Sequence, residues 1–245
     1  MTTSTKTDLA SLQEGTRYLT RRPLAALGIA ALGMLLAALA AVLQIQANLP
    51  EDPMVDAALT FASLLPLELY FIPRFLIATD AQAGQNPLNT ADQWRLRFEE
   101  RWLRAFWGKA ALALATGIGL SLFIIPGLMV LMAFGWAPLR ILLRGESILQ
   151  AAKGSVQMMA RSWRRVILAT SAMAMVYLSC IVLLSYLIGL AVQEPTVRVR
   201  LTHPLIWVGN FFGSLLSVWL SACLLALFRR LETAPPAAGP VVNIN

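Results

Sequence analysis

The feature that most limits the fold of this chain is the stretch from Lys109 to Arg165: an apolar run, a Pro126-Gly127 break, a second apolar run and then a basic amphipathic segment. Apolar runs of about 17–25 residues cross a hydrocarbon core of ~30 Å as helix. Ala110 to Ile125 and Leu128 to Leu143 therefore read as two short spans meeting at a tight turn. Pro126 cannot continue a helix and Gly127 tolerates the angles of a reversal, so these two residues are the expected hinge. The turn is uncharged, whereas Lys109 precedes the pair and Arg140 and Arg144 lie at its far end. Basic residues are retained on the cytoplasmic side, which places both open ends of the hairpin there.

Composition agrees with a membrane chain. Of 245 residues, 58% are hydrophobic and 13% charged, with a mean hydropathy of +0.65; an ordinary soluble domain carries roughly 25% charged residues. The formal net charge is +7, but the cations cluster beside apolar runs instead of forming a separate soluble face, which argues for lipid headgroups and topology and against nucleic acid. Cys180 and Cys223 lie singly inside apolar runs, and the one histidine, His203, stands alone, so the sequence indicates neither a disulfide framework nor a metal site.

Residues 1–22 form a cytoplasmic N-terminal segment in which Asp8 to Thr20 can make a short interfacial helix or a frayed tail. The first span, about 24–42, is Ala- and Leu-rich and follows three arginines. Ala38-Leu39-Ala40 resembles a processing site, but the apolar run exceeds the core of a cleaved signal. Gln46 to Asp56 carries only acidic charges and is placed outside. The second span, about 57–78, holds Pro66 and Pro73, with Glu68 near mid-depth and Arg74 toward the cytoplasm, and should be kinked. After a turn-like stretch with Gly84, Asn86, Pro87 and Asn89, Thr90 or Asp92 can cap a helix. There Trp94, Phe98, Trp102 and Phe106 recur every four residues, with Arg101 and Arg104 on other faces. Such a helix fits the headgroup boundary, its arginines toward anionic lipid.

Beyond the hairpin, Ser147 and Gln150 have capping-box spacing. They open a second interfacial helix, which ends in Trp163, Arg164 and Arg165 and runs into a fifth span, about 166–192. A sixth span follows at about 204–228. The single membrane domain covers 23–232, and the Pro- and Ala-rich residues 233–245 read as disordered. Of the 20 Lys and Arg residues, all but Arg198 and Arg200 then fall on the cytoplasmic side. One long helix in place of the hairpin would invert the last spans and put Arg161, Arg164 and Arg165 outside.

The sharpest polar candidate is Glu68, with Arg74 as a possible companion. An ionisable group at mid-bilayer costs roughly 2.5–3.5 kcal/mol, so it faces a cavity or a neighbour, or is a hydrogen-bonded structural carboxyl beside Pro66. Gly209, Gly213, Ser217 and Ser221 fall at four-residue steps and form a helix-packing stripe, with Ala113, Gly117 and Ser121 as a shorter one. These are read as seams within the chain, with homo-oligomerisation or a membrane-protein partner as the alternative use. No catalytic constellation emerges: H-E-x-x-H, G-x-S-x-G and the P-loop are all lacking, and no cofactor is implied.

The run Ile125-Pro126-Gly127-Leu128, then Ala137-Pro138, then Gly145-Glu146-Ser147 to Ser162-Trp163-Arg164-Arg165 resembles the YciC-like bacterial inner-membrane proteins and the related membrane domain of glycerophosphodiester phosphodiesterases. The match covers mainly residues 109–190; elsewhere only the six-span plan and the length agree. The resemblance implies a bacterial inner-membrane location without an assigned reaction. The soluble phosphodiesterase domain of some such proteins has no counterpart here, so its catalytic and metal-binding residues are not transferred.

The expectation is an all-α integral membrane protein with six transmembrane helices, two cytoplasmic interfacial amphipathic helices and both termini inside. Its expected function is non-catalytic, a lipid-surface or partner-binding role in the cell envelope. The alternative is a small transporter or channel using the kinked second span and Glu68.

Overall fold

Long apolar runs with few backbone-breaking residues leave helix as the only way to satisfy their main-chain groups, and every regular element among the described residues is helical. The computed structural model describes residues 2–50, 52–83, 91–122, 124–192 and 201–233. The turn with Gly84 to Asn89, Thr90, the loop carrying Arg198 and Arg200, and the tail after Thr233 lie outside the described residues.

The helices are α1 (Thr2–Arg21), α2 (Pro23–Gln46), α3 (Pro53–Pro66), a π-helical turn (Leu67–Phe71), α4 (Ile72–Ala83), α5 (Ala91–Leu122), α6 (Ile124–Phe134), α7 (Ala137–Arg144), α8 (Ile148–Ala191) and α9 (Pro204–Thr233). Among the described residues four helical stretches are long and apolar enough to cross a bilayer: Pro23–Gln46, Met54–Asp80, Ile148–Ala191 and Pro204–Thr233. The two hairpin helices are not among them.

The chain divides into two compact units. The span unit comprises Gln13–Thr79 and Ser171–Cys223. Small residues set its packing. A Cβ on Gly33 of α2 would collide with the side chain of Ser214 on α9, and one on Gly15 with Cys223, so the backbones approach closely there. Ala30, Leu67, Met173, Val218 and Ala222 are buried. Met175, Leu178, Val182, Tyr186 and Leu190 of α8 are exposed at helical spacing. Such an apolar face is unfavourable in water and satisfied in hydrocarbon.

The hairpin unit comprises Met1–Leu12, Asp80–Thr170 and Leu224–Asn245. The fold-back is present, because α6 and α7 both pack on α5, but its details differ from the expected pair of spans. The expected interfacial helix and third span form one 32-residue helix, α5, ending at Leu122. The next helix, α6, already begins at Ile124, upstream of the expected hinge. Pro126 and Gly127 occupy the first turn of α6, where a missing proline N–H removes no intrahelical bond. The expected fourth span is also divided. α6 stops after 11 residues, roughly 16 Å, and α7 begins at Ala137.

The divide is stitched from α8. The Trp136 N–H donates to Ser155 Oγ at 3.2 Å and the Ser155 hydroxyl donates to the Ala133 carbonyl at 2.7 Å. Trp136 stacks on Phe228 of α9 with ring centroids 6.3 Å apart. α7 closes on Gly145, whose φ of 71° is the left-handed C-cap conformation that glycine takes at little cost. The α8 start carries the expected capping box: the Ser147 N–H donates to Gln150 Oε1 at 3.2 Å, and the Gln150 N–H to Ser147 Oγ at 3.4 Å.

Candidate functional site

The aromatic stripe of α5 is divided between packing and exposure. Phe98 is only 2% exposed and stacks with half-buried Trp102 at 6.5 Å. Phe106 is half-buried too, so the stripe serves largely to pack the helix, and Phe98 is not offered to lipid. Trp94 lies in α5, but its side chain is outside the described residues. Among the described residues of this helix Leu103, Trp107, Leu114 and Ile118 are exposed; the first two flank the stripe, Trp107 being 59% exposed, with Arg104 exposed between them. Periodicity found the inward face; the outward pair lies one residue beyond two of its members.

Arg101 is also structural. Its Nη1 donates to the Leu143 carbonyl at 3.0 Å, and its guanidinium lies against Gly145, where a Cβ would be within 2.8 Å. An arginine thus covers the last carbonyls of α7, a favourable place for a cation. Neighbouring cations are held likewise. Arg140 forms a fork with Glu146 at 2.8 and 2.6 Å, Arg144 pairs with Glu232, and Arg229 Nε contacts Asp80 Oδ1 at 2.6 Å. Hydrogen bonding to Glu232 raises the Arg144 pKa above its ordinary range.

The other expected interfacial segment is presented outward. Ser162 departs from helical geometry, with φ −136° and ψ 23°, and kinks α8 just before its long apolar part. Around this kink Lys153, Arg161, Arg164 and Arg165 are exposed, and Trp163 is 51% exposed. The Arg164 guanidinium carbon lies 5.3 Å from the centroid of the Trp163 ring, a cation–π contact. The result is a cluster of charges and one indole at the point where a polar helix becomes an apolar one.

No protein-family model, curated protein or solved structure matches this chain. Side-chain placement therefore carries the functional reading.

In the span unit, Glu68 falls in the π-helical turn and Arg74 in α4, both half-buried. The wide turn has a local cause. Pro73 has no N–H, and its ring would press on the carbonyl four residues back in a regular α-helix; opening the turn relieves that contact. The Ile72 N–H reaches back to the Leu67 carbonyl, five residues away. Of the packing stripe, Gly209 is buried where a Cβ would meet Ile188 of α8, and the Ser221 hydroxyl donates to the Ser217 carbonyl at 2.9 Å. Gly213 has open space at its Cβ position. The closer seam runs through Gly33 and Ser214, one residue off that stripe.

A polar cluster that the sequence did not reveal joins α2 to α3. Gln44, 2% exposed, donates from Nε2 to the Pro50 carbonyl at 3.1 Å and to Asp56 Oδ1 at 2.6 Å. Beside it is a cavity of about 80 Å³, bordered also by Thr60, Trp207 and Asn210. That volume suits about two waters. Glu68 does not border this cavity.

Proposed function

We propose that this chain is a non-catalytic multi-pass protein of the bacterial inner membrane, YciC-like in type, with both termini cytoplasmic, that engages anionic lipid at the membrane surface as a lipid-organising or partner-binding element of the envelope. Its hairpin enters and leaves the bilayer on the cytoplasmic side, as two short spans or as a re-entrant pair. Either form gives the same sidedness to the remaining spans. The resemblance carried by residues 109–190 supports the location.

The observation that carries the lipid role is the kink at Ser162, where Lys153, Arg161, Arg164 and Arg165 are exposed around an exposed Trp163. Indole rings favour the headgroup level, and each basic residue near an anionic surface is worth about 1 kcal/mol. The test is reconstitution of the full chain in phosphatidylcholine vesicles containing a minor fraction of phosphatidylglycerol. The wild type should enrich the anionic lipid around itself. Replacing Arg161, Arg164 and Arg165 together by Gln should weaken that by about 3 kcal/mol; unchanged enrichment would refute the reading.

A second reading, transport or channel activity through the second span, is favoured by the π-helical turn holding Glu68, since such turns recur at functional sites. Glu68→Gln should then abolish a proton-coupled flux while leaving the thermal transition intact. Loss of folding alone would leave Glu68 a structural carboxyl.

A further inference from the structure

The span unit has an apolar groove of about 400 Å³ where α1 meets α2, bordered by Thr20, Leu27, Val176, Phe212, Leu216 and Trp219. Its size is within the roughly 300–1,000 Å³ of ordinary ligand sites. Leu27, Val176 and Phe212 are each more than two-fifths exposed, so the groove opens sideways instead of being sealed in the core. Trp219 turns its polar edge away, its Nε1 donating to Thr16 Oγ1 at 3.1 Å. The ring flank is left for an apolar occupant.

Two arginines flank one end of the groove in the chain. Thr20 and Pro23 both border it, and the two residues between them are Arg21 and Arg22. The Arg21 guanidinium carbon sits 6.0 Å from the ring centroid of buried Tyr18, whose hydroxyl donates to Glu14 Oε1 at 3.0 Å. Arg17 and Arg21 are exposed, and Arg22 is half-buried. Residues 13–23 carry three arginines against one carboxylate, Glu14, so this segment of the chain is net positive. Partial burial strips water from Arg22 and lowers its pKa.

We propose that this groove is a binding site for a single anionic phospholipid, one acyl chain lying against Leu27, Phe212 and Leu216 and the phosphate meeting Arg21 and Arg22. An apolar trough flanked in the chain by two arginines complements an amphiphile with a negative head, and its lateral opening admits a chain from the bilayer. This site is independent of the lipid surface around Ser162, which belongs to the other unit.

Native mass spectrometry of the full chain, solubilised from vesicles of equal phosphatidylcholine and phosphatidylglycerol, tests the proposal. The wild type should retain one phosphatidylglycerol in preference to phosphatidylcholine. The double variant R21Q/R22Q should lower that retention about thirtyfold, and L27W, which fills the trough from a partly exposed position, should remove both lipids. The combined variant R161Q/R164Q/R165Q should keep the tightly held lipid. Equal retention of the two lipids, wild-type retention by L27W, or loss in the Ser162-region variant would overturn the assignment. So would efficient disulfide cross-linking of two copies through L27C, which would make a second chain the occupant.

Discussion

The two units hold themselves together by different chemistry. In the span unit, backbones close on one another at Gly15, Gly33 and Gly209, and large apolar side chains are left facing outward. In the hairpin unit, polar groups at helix ends do the joining: Ser155 across the α6–α7 divide, Arg101 on the last carbonyls of α7, and the Arg140, Arg144 and Arg229 ion pairs. The difference follows from solvent. Helices in hydrocarbon gain nothing from hiding leucine and rely on close contact, whereas short helices expose many unpaired end groups that need fixed donors and acceptors.

The contrast can be broken first at Gly33. A leucine there would drive its Cβ to within 2.7 Å of Ser214 Cβ, which no rotamer change relieves. Gly33→Leu should cost about 3 kcal/mol or more and lower the thermal transition of the purified protein. In the hairpin unit, Ser155→Ala would leave the buried Trp136 N–H without its hydroxyl and release the Ala133 carbonyl; about 2 kcal/mol should be lost, read by denaturant or thermal melting. Arg229→Gln removes a pair that is about a quarter exposed, and should cost about 1–2 kcal/mol by the same measurement.

The smallest effect is expected at Arg144, whose side chain is more than half exposed. Arg144→Gln should cost under about 1 kcal/mol. Its raised pKa gives the sign of the pH dependence on the alkaline side: the contribution is complete from neutrality up to arginine's ordinary range and is lost as pH rises through that range. The stability difference between wild type and Arg144→Gln should therefore stay constant from neutrality to about pH 10. A difference that shrinks over this interval would contradict the assignment.

Much of the helical plan was legible because apolar length and charge flanks act locally. The Ser147/Gln150 capping box was readable for the same reason, and both of its bonds form. The α6–α7 divide had a sequence trace in Gly135 followed by Pro138, but the long apolar run masked it. Pro126-Gly127 marked the boundary between α5 and α6 to within one turn; proline is accommodated at the start of the next helix, so α5 ends upstream of it. What pattern could not reveal was pairing across distance. Phe98 and Trp107 lie on one amphipathic helix, yet only the neighbours supplied by folding decide that the first is buried and the second exposed. Gln44 and Asp56 likewise meet only because the chain turns between α2 and α3.

The central claim is that the hairpin returns the chain to the side from which it came. Single cysteines placed at Arg104 and Lys153, both exposed positions before and after the hairpin, in a background lacking Cys180 and Cys223, test it directly with a membrane-impermeant thiol reagent. Both should be protected in intact cells and labelled together once the cytoplasmic face is opened. Labelling of one position from each side of the membrane would contradict the account.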